Sequence, residues 1–277
     1  MSGIDHVHGL TKNLFVQEYL SRRRPVKMSG VMDEWPAMAK WDFSFFQSLK
    51  PDVDVDVEVG DCLTQATVLE KWKFSKYVAA IAADSPDGPQ VGGSHYLTLF
   101  PLLETFPDLR SDVCFHLWPT RYHVLVAWIG PKGTFSGLHW DRSHSLLAQV
   151  RGSKRVMLYE PEQWARMYES RKFDWGTALS QVDALHPDYE RFPLFKDISG
   201  TEILLEAGQM LYLPLGWPHY VVSLEPSVSL SSFGYTHRDL MPWAARNYLF
   251  GYLHDLGLYR RSYCVCHGTK SNERKHS

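Results

Sequence analysis

Two histidines and one aspartate in this sequence have the residue types and the spacing of a metal site. His139 and Asp141 stand two positions apart, and His219 follows far downstream. Two imidazoles and one carboxylate suit Fe(II), because they hold one face of the ion and leave the opposite face open to oxygen and other ligands. The three residues therefore predict a catalytic iron centre that activates O2.

The spacing of the first two residues has a structural consequence if they belong to a β-strand. Side chains on a strand alternate between its two faces, so His139 and Asp141 point the same way and Trp140 points away. His144 is out of phase with this pair, and we expect it on the opposite face or in a loop. Because a His-x-Asp triplet often arises by chance, the prediction depends on the elements around it.

The composition is that of a globular protein with one main core. The chain has 277 residues, of which 44% are hydrophobic and 14% aromatic. Its 29 Lys and Arg are balanced by 31 Asp and Glu. The net charge therefore predicts no nucleic-acid-binding field, although a neutral total can contain a local basic groove.

The sequence also predicts where the protein is found. No apolar run approaches the roughly 18 residues that a transmembrane helix needs, so we expect no membrane partner. The N-terminus has no signal-peptide pattern. Four cysteines are too few for a disulfide scaffold. We expect an intracellular protein of the cytoplasm, the nucleus or both.

Helices and strands are mixed in residues 1–90, which we interpret as an α/β layer. The patterns predict helices at 11–22, 41–49 and 70–83 and strands at 25–28 and 52–59. The segment 85–94 is rich in Gly and Pro and predicts a linker.

Short strands dominate from Tyr96 onward, interrupted by a predicted helix at 161–169. Turns with Gly or Pro separate these strands, which predicts a sandwich or barrel and a mainly β fold with α elements. The ends of strands in a closed β structure converge on one end of its cavity, so the distant His219 can lie beside His139 and Asp141. The predicted strands are 122–129, 145–151, 154–159, 201–206, 210–213, 219–224 and 227–235.

The C-terminal part of the sequence begins with an apolar helix. We place it at residues 239–263, followed by a disordered polar tail at 264–277. The segment 239–259 packs either on its own domain or against a second copy, as a homodimer. The Cys-x-Cys-His run that begins at Cys264 does not supply a complete zinc site by itself.

Lys154 is a candidate anion-binding residue. It opens the strand after the Gly152 turn, and Val156 and Leu158 continue its face. A buried lysine needs a charged partner, so an inward Lys154 implies an anionic ligand. Alternatively, Lys154 faces solvent and Arg155 faces inward.

Several segments together resemble a known family. Ala127-Trp-Ile-Gly, Leu138-His-Trp-Asp, the run from Leu147 to Arg155, Ser180-Gln-Val-Asp and the Pro-Asp-Tyr-Glu-Arg-Phe-Pro run from Pro187 are similar to JmjC-type (cupin-like) oxygenases that depend on Fe(II) and 2-oxoglutarate. The closest resemblance is to the asparaginyl hydroxylases of hypoxia-inducible factor and their small relatives. It covers about residues 95–236 and implies a double-stranded β-helix (jelly-roll) core in a catalytic domain at 91–238.

The resemblance also implies roles for single residues. His139, Asp141 and His219 match the iron ligands, which are the catalytic centre. Lys154 and Tyr96 match residues that hold the distal carboxylate of 2-oxoglutarate. Ser136 stands where the asparaginyl hydroxylase has a cosubstrate-binding threonine and also offers a hydroxyl. Ser232 or its neighbour Ser231, a further expected cosubstrate-binding position, departs from the pattern by standing where that enzyme has a second asparagine. Ser145 and Leu179 depart from the family's pattern, and the second departure falls among substrate contacts, so the substrate is not carried over.

The implied activity is hydroxylation of an amino-acid side chain in a protein or peptide, with O2 and 2-oxoglutarate consumed and succinate and CO2 released. The alternatives are hydroxylation of a modified tRNA base, a non-catalytic cupin scaffold and histone lysine demethylation. A basic groove that leads to His139 favours RNA. An open apolar groove favours a peptide.

Overall fold

Two β-sheets enclose the interior of the protein. The structure is a computed structural model that describes residues 3–60, 68–83, 95–119, 123–260 and 264. Within these ranges a nine-stranded sheet has the order β1-β2-β12-β8-β14-β6-β5-β3-β4, and a five-stranded sheet has the order β10-β7-β13-β9-β11. The strands are β1 Asp5–His8, β2 Val26–Ser29, β3 Asp54–Val59, β4 Val68–Lys73, β5 His95–Phe100, β6 His123–Gly130, β7 Phe135–Asp141, β8 His144–Arg151, β9 Ser153–Leu158, β10 Thr177–Leu179, β11 Thr201–Glu206, β12 Met210–Leu213, β13 His219–Ser223 and β14 Ser227–Gly234.

This arrangement confirms the predicted mainly β fold with a jelly-roll core. The sheets pair antiparallel throughout, except for the parallel edge pair β1 and β2. The N-terminal strands extend the same sheet as the central strands, β1 and β2 at one edge and β3 and β4 at the other. The predicted linker 85–94 lies outside the described residues, and the division between residues 90 and 91 stays a prediction.

Short helices pack on the nine-stranded sheet, and one longer helix, α6, follows its strand β14. Thr11 caps the first of them by accepting from the Leu14 N–H, and Asp42 caps α3 by accepting from the Phe45 N–H at 2.7 Å. The helices are α1 Lys12–Leu14, which continues as a π-helix at Phe15–Leu20, α2 Pro36–Lys40, α3 Phe43–Ser48, α4 Phe74–Ala83, α5 Leu102–Thr105 and α6 His237–Asp255, with 3-10 helices at Pro107–Asp112, Pro161–Arg166 and Pro193–Asp197.

The predicted helix at 70–83 begins later than expected. Residues 68–73 pair antiparallel with β3 instead, and the helix starts at Phe74. Its predicted apolar stripe of Phe74, Tyr77, Val78 and Ile81 is fully buried. Residues 68–73 form a strand and not a helix because β3 offers them a complete row of backbone hydrogen-bonding partners.

The main core lies between the nine-stranded sheet and the N-terminal helices. Its largest buried side chains include Phe15, Trp41, Phe46 and Tyr77. Each such burial stabilises the fold by about 1.5–3 kcal/mol relative to exposure. A second apolar cluster lies between the two sheets and leaves the remaining interior as a cavity; its members are Leu147, Val156, Leu158, Ile203, Leu205, Leu211, Leu213 and Val221.

The C-terminal helix α6 is shorter than the predicted segment 239–263. It ends at Asp255, because Gly257 takes a left-handed φ of +80° and its N–H donates to the His254 carbonyl. Cys264 is described and is buried in a bridge with Phe173. The rest of the predicted tail, including Cys266 and His267, lies outside the described residues.

None of the helices in the described part of the chain combines the length and the apolar character needed to cross a bilayer. The predicted location in the cytoplasm or the nucleus stays a prediction.

Candidate metal centre and cosubstrate cavity

The three predicted metal ligands lie together on two neighbouring strands. His139 on β7 is the direct antiparallel partner of His219 on β13, and their ring centroids are 4.3 Å apart. Asp141 follows two residues after His139 on the same face. Its carboxylate oxygens lie 3.5 Å from His139 Nε2 and 3.8 Å from His219 Nε2. All three ligand atoms lie within 4.8 Å of one another.

Backbone carbonyls fix the tautomers of both imidazoles. His139 Nδ1 donates to the Gly137 carbonyl at 2.6 Å, and His219 Nδ1 donates to the Trp217 carbonyl at 3.0 Å. A neutral ring that carries its proton on Nδ1 presents Nε2 as a lone pair. The cluster therefore brings two nitrogen lone pairs and a carboxylate close together. A group of acceptors of this kind is stabilised by a cation. This donor set fits a divalent metal with nitrogen and oxygen ligands.

The charges and the burial of the three side chains shift their pKa values. Burial lowers the pKa of His139, but the hydrogen bond and the charge of Asp141 outweigh it and hold the pKa above its ordinary value. Burial raises the pKa of Asp141, yet His139 holds it below its ordinary value. Burial and the charge of His139 lower the pKa of His219 to about 4. The opposite pKa shifts of His139 and Asp141 are those of an ion pair, and the lowered pKa of His219 is that of a ring that favours its neutral form.

A cavity of about 410 Å³ opens beside this cluster, between the two sheets. Its inner residues, Lys154 and Tyr96, are 2% and 7% exposed. Its outer residues are apolar and far more exposed, with Leu99 at 55%, Val124 at 61% and Trp175 at 39%. The cavity therefore runs from a polar inner end, past the metal ligands, to an apolar mouth.

Lys154 points inward, which resolves the alternative left open by the sequence. Arg155 is exposed and lies 3.6 Å from Glu202. The Lys154 Nζ donates to the Tyr96 hydroxyl at 2.8 Å. Burial lowers the pKa of Lys154 to about 7. Because the phenol is neutral, the ammonium lacks a counter-charge within the described residues that it contacts, and an anionic ligand would supply one.

Comparison with known proteins identifies the fold family. Residues 11–239 match the family described as a cupin-like domain. The chain belongs to the cupin-like JmjC family. The closer resemblance to asparaginyl hydroxylases stays a prediction.

Similar proteins of this family differ in their named substrates. The chain is 31% identical to lysine-specific demethylase 8 of Xenopus tropicalis over 83% of its length and 52% of that protein. It is 32% identical to lysine-specific demethylase JMJ30 of Arabidopsis thaliana over 80% of its length and 52% of that protein. It is 28% identical to tRNA wybutosine-synthesizing protein 5 of Gallus gallus over 83% of its length and 76% of that protein. The chain thus spans about half the length of the two demethylases.

The serines of this cupin-like cavity correct one predicted role. Ser136 and Ser231 line the cavity, as does Ser145. Ser232 does not, because successive residues of β14 alternate between the cavity and the core. Its hydroxyl is fully buried and accepts from the Trp118 Nε1 at 2.6 Å. The alternative position, Ser231, lies on the cavity face, where its hydroxyl accepts from the Trp128 Nε1 at 2.9 Å.

The sequence did not predict the loop that forms one side of the mouth. In this loop Asp174 Oδ1 accepts from the N–H groups of Gly176 and Thr177 and from the Thr177 hydroxyl, at 2.7–2.9 Å. These bonds hold Trp175 and Thr177 against the cavity. The Asp-x-Gly-Thr pattern is a turn signal that indicates such a loop but not its place in the fold.

Leu99 at the mouth is strained. Its φ is +48°, a left-handed value that glycine adopts freely and leucine does not. A β-bulge between Leu97 and Phe100 produces this conformation, since both of these neighbours are buried and Leu99 is turned outward.

We expect Leu99→Gly to raise the free energy of unfolding by ~0.5–1 kcal/mol. It removes about 1–2 kcal/mol of backbone strain and loses about 0.5–1 kcal/mol to the greater freedom of the unfolded chain. Chemical denaturation measures the difference. Leu99→Ala keeps the strain and serves as the control, so equal stabilisation by both variants would show that φ is not the cause.

Proposed function

We propose that this chain is an Fe(II)- and 2-oxoglutarate-dependent dioxygenase that hydroxylates an amino-acid side chain of a protein substrate. One observation carries the proposal. A His-Asp-His group faces a cavity whose inner end holds the buried amine of Lys154, which contacts the neutral Tyr96 hydroxyl and no carboxylate among the described residues. A metal ion would bind to the His-Asp-His group, and a dicarboxylate cosubstrate would pair with the buried lysine.

The residues divide the work of binding. His139, Asp141 and His219 would hold the metal, and the two backbone carbonyls behind the imidazoles keep Nε2 directed at it. Lys154 and Tyr96 would bind the distal carboxylate of 2-oxoglutarate, with the Ser136 and Ser231 hydroxyls beside it. When bound, iron and 2-oxoglutarate with O2 supply the oxidation of a substrate C–H bond and yield succinate and CO2.

The mouth of the cavity favours a protein substrate over RNA. Among the described residues that line the cavity, Lys154 is the one lysine or arginine, and it lies at the inner end. The mouth itself is formed by Leu99, Val124 and Trp175, with the carboxylate of Asp174 close by. Phosphates would meet a negative charge there and, among the described residues that line the mouth, no cation, although Arg142 and Lys172 lie on the other side of the Asp174 loop. An apolar groove suits an extended peptide.

Succinate formation tests the activity and the substrate class together. The protein is incubated with Fe(II), 2-oxoglutarate and O2 and with either the protein or the RNA fraction of a cell extract; Asp141→Ala is the blank. We expect stimulation by the protein fraction. Stimulation by RNA alone would replace the proposal with hydroxylation of a tRNA base. Succinate no higher than the blank in either fraction would leave a non-catalytic cupin scaffold.

A protein substrate admits two reactions. Hydroxylation of a carbon that bears no nitrogen adds one oxygen to the product. Hydroxylation of an N-methyl group is instead followed by loss of formaldehyde, which is lysine demethylation. Mass spectrometry of the stimulated fraction and a formaldehyde assay distinguish the two, and we expect the stable addition of one oxygen.

We further propose that the segment 239–259 forms a homodimer contact. Three exposed apolar side chains lie close together on α6. Tyr248 is 73% exposed, its neighbour Leu249 is 56% exposed, and Tyr252, one turn after Tyr248, is 63% exposed. Light scattering is expected to give twice the mass of one chain for the wild type and half of that value for Tyr252→Glu. Leu194→Glu, at another exposed apolar side chain, is the control and should remain dimeric. A monomeric wild type would contradict the proposal.

A further inference from the structure

His144 is a buried imidazole outside the metal cluster. It begins β8, three residues after Asp141, and its side chain is fully buried. It is not among the residues that line the cavity. This placement agrees with the expectation that it is out of phase with the two ligands of β7. The proposed reaction does not use it, so its burial needs another explanation.

Every polar atom of the His144 ring has a partner. Nδ1 accepts from the Leu215 backbone N–H at 3.1 Å and from the Tyr212 hydroxyl at 2.9 Å. Nε2 lies 2.9 Å from the Asp239 carboxylate. Because a backbone N–H can only donate, Nδ1 carries no proton, and the neutral ring donates from Nε2 to Asp239. Burial lowers the pKa of His144, which agrees with a neutral ring.

The Leu215 contact lies in the turn that leads to His219. Three successive residues of this turn are tied to the site. The Leu215 N–H donates to His144, and the Gly216 N–H donates to the Asp141 carbonyl at 3.1 Å. The Trp217 carbonyl accepts from His219 Nδ1 at 3.0 Å. A shift of Leu215 would therefore displace the groups that orient two of the three metal ligands.

The other side of the His144 ring is tied to the C-terminal helix. Asp239 caps the start of α6 together with Thr236, and Arg23 donates to the same carboxylate at 2.6 Å. Burial raises the pKa of Asp239, but its hydrogen bonds with Thr236 and His144 outweigh this and lower the pKa to about 2. Asp239 is thus an anion that accepts a hydrogen bond from the Nε2–H and holds the His144 tautomer.

We propose that His144 is a positioning residue that links helix α6 to the metal ligands through the turn of Leu215, Gly216 and Trp217. It holds the turn by accepting at Nδ1, and Asp239 keeps Nδ1 free of a proton by accepting a hydrogen bond from the Nε2–H. The proposal rests on the metal-binding part of the proposed function. It does not depend on the reaction or on the substrate.

Two substitutions separate the two ends of the ring. His144→Asn can keep an acceptor near the Nδ1 position and loses the reach to Asp239. His144→Gln can keep a donor near the Nε2 position and loses the acceptor for Leu215. Mn(II) binding to each purified full-length protein is measured by calorimetry without 2-oxoglutarate, and the thermal unfolding of each metal-free protein is recorded in parallel.

Loss of an orienting partner of a metal ligand typically weakens metal binding by about 10–100-fold. We expect His144→Gln to weaken Mn(II) binding by about tenfold or more and His144→Asn to bind within about threefold of the wild type, although both unfold at lower temperature. Equal Mn(II) affinity of the wild type and both variants would overturn the proposal and leave His144 a core residue. Equal weakening by both variants would also overturn it, because the turn contact would then have no special part.

A spectrum of the unsubstituted protein covers the case in which the variants do not fold. Long-range ¹H–¹⁵N correlation in protein labelled at histidine reports the protonation of each ring nitrogen. We expect the His144 ring, assigned by its contacts to Tyr212, to be neutral with its proton on Nε2. A proton on Nδ1 of that ring would overturn the proposal without any metal present. Failure of the wild type to bind Mn(II), with the Nε2 tautomer observed, would instead contradict the metal site itself.

Discussion

Asp141→Ala is expected to abolish metal binding and to reduce 2-oxoglutarate turnover to the level of metal-free protein. Asp141 supplies the one formal anion of the cluster, and both imidazoles face its oxygens within 4 Å. Without it, a divalent ion would lie between two neutral rings in a buried site, where its charge is costly to desolvate. Calorimetry with Mn(II) and the succinate assay measure the two losses.

Asp141→Asn is the matched variant for this test. It keeps the shape of the side chain and one oxygen ligand but removes the negative charge. We expect it to fold as the wild type does and to bind Mn(II) more weakly than the wild type. Retention of wild-type affinity by Asp141→Asn would show that the charge does not hold the metal, and retention by Asp141→Ala would exclude the cluster as the metal site.

The three metal ligands show which features of the site can be predicted from the sequence and which cannot. The shared face of His139 and Asp141 follows from strand alternation, a local property that does not depend on the rest of the fold. The position of His219 opposite His139 depends on the register between β7 and β13, strands that are some 80 residues apart. Local patterns do not determine that register, and the family resemblance supplied it.

Ser232 shows that a difference of one position along a strand changes the role of a residue. A shift of one residue along β14 exchanges the cavity face for the core face, and the family resemblance alone did not separate Ser231 from Ser232. Lys154 and Arg155 present the same choice on β9, and there the apolar alternation of Val156 and Leu158 favoured the residue that the structure buries. The same rule separates the two serines of β14, because Ser232 is in phase with Val228 and Leu230 of the main core and Ser231 is not.

Pairing between strands that are distant in sequence also explains where the predictions of secondary structure and of the site were wrong or incomplete. Residues 70–73 have a helical pattern that continues into α4, yet they pair with β3 because the edge of the sheet is free to accept them. The mouth loop around Asp174 carries a local turn signal, but its place beside the metal ligands follows from the pairing of β10 with β7. In both cases the decisive partner is remote in sequence.

Lys154→Met is expected to weaken 2-oxoglutarate binding by about 2–5 kcal/mol, the usual cost of removing one partner of a buried charge pair. The same substitution should stabilise the protein without 2-oxoglutarate, since it removes an amine that is buried without a counter-charge. Calorimetry and chemical denaturation measure the two effects. Arg155→Met changes the exposed neighbour and is the control, which should alter neither quantity much.

The stability of the wild type should depend on pH in a way that Lys154→Met does not. The folded pKa of Lys154 is lowered from 10.5 to about 7, so between these values the unfolded chain binds more protons than the folded chain. The free energy of unfolding therefore gains a contribution that rises as the pH increases from about 7 towards 10. The difference between wild type and Lys154→Met isolates it, and a pH-independent difference would show that the amine stays charged when buried.

The affinity for 2-oxoglutarate should also depend on the protonation of the Lys154 amine, and it should fall as the pH rises. Below pH 7 the Lys154 amine already carries its proton, since its pKa is about 7, and the affinity should be nearly constant. Above pH 7 a proton must be taken up to pair with the carboxylate, so the affinity should fall by up to about tenfold per pH unit. Calorimetry in two buffers of different ionisation enthalpy should give an uptake of about one proton at pH 8 or above and little at pH 6. Heats that are the same in both buffers at pH 8 would mean that Lys154 is charged before the dicarboxylate arrives, and the unpaired ammonium would then need a different explanation.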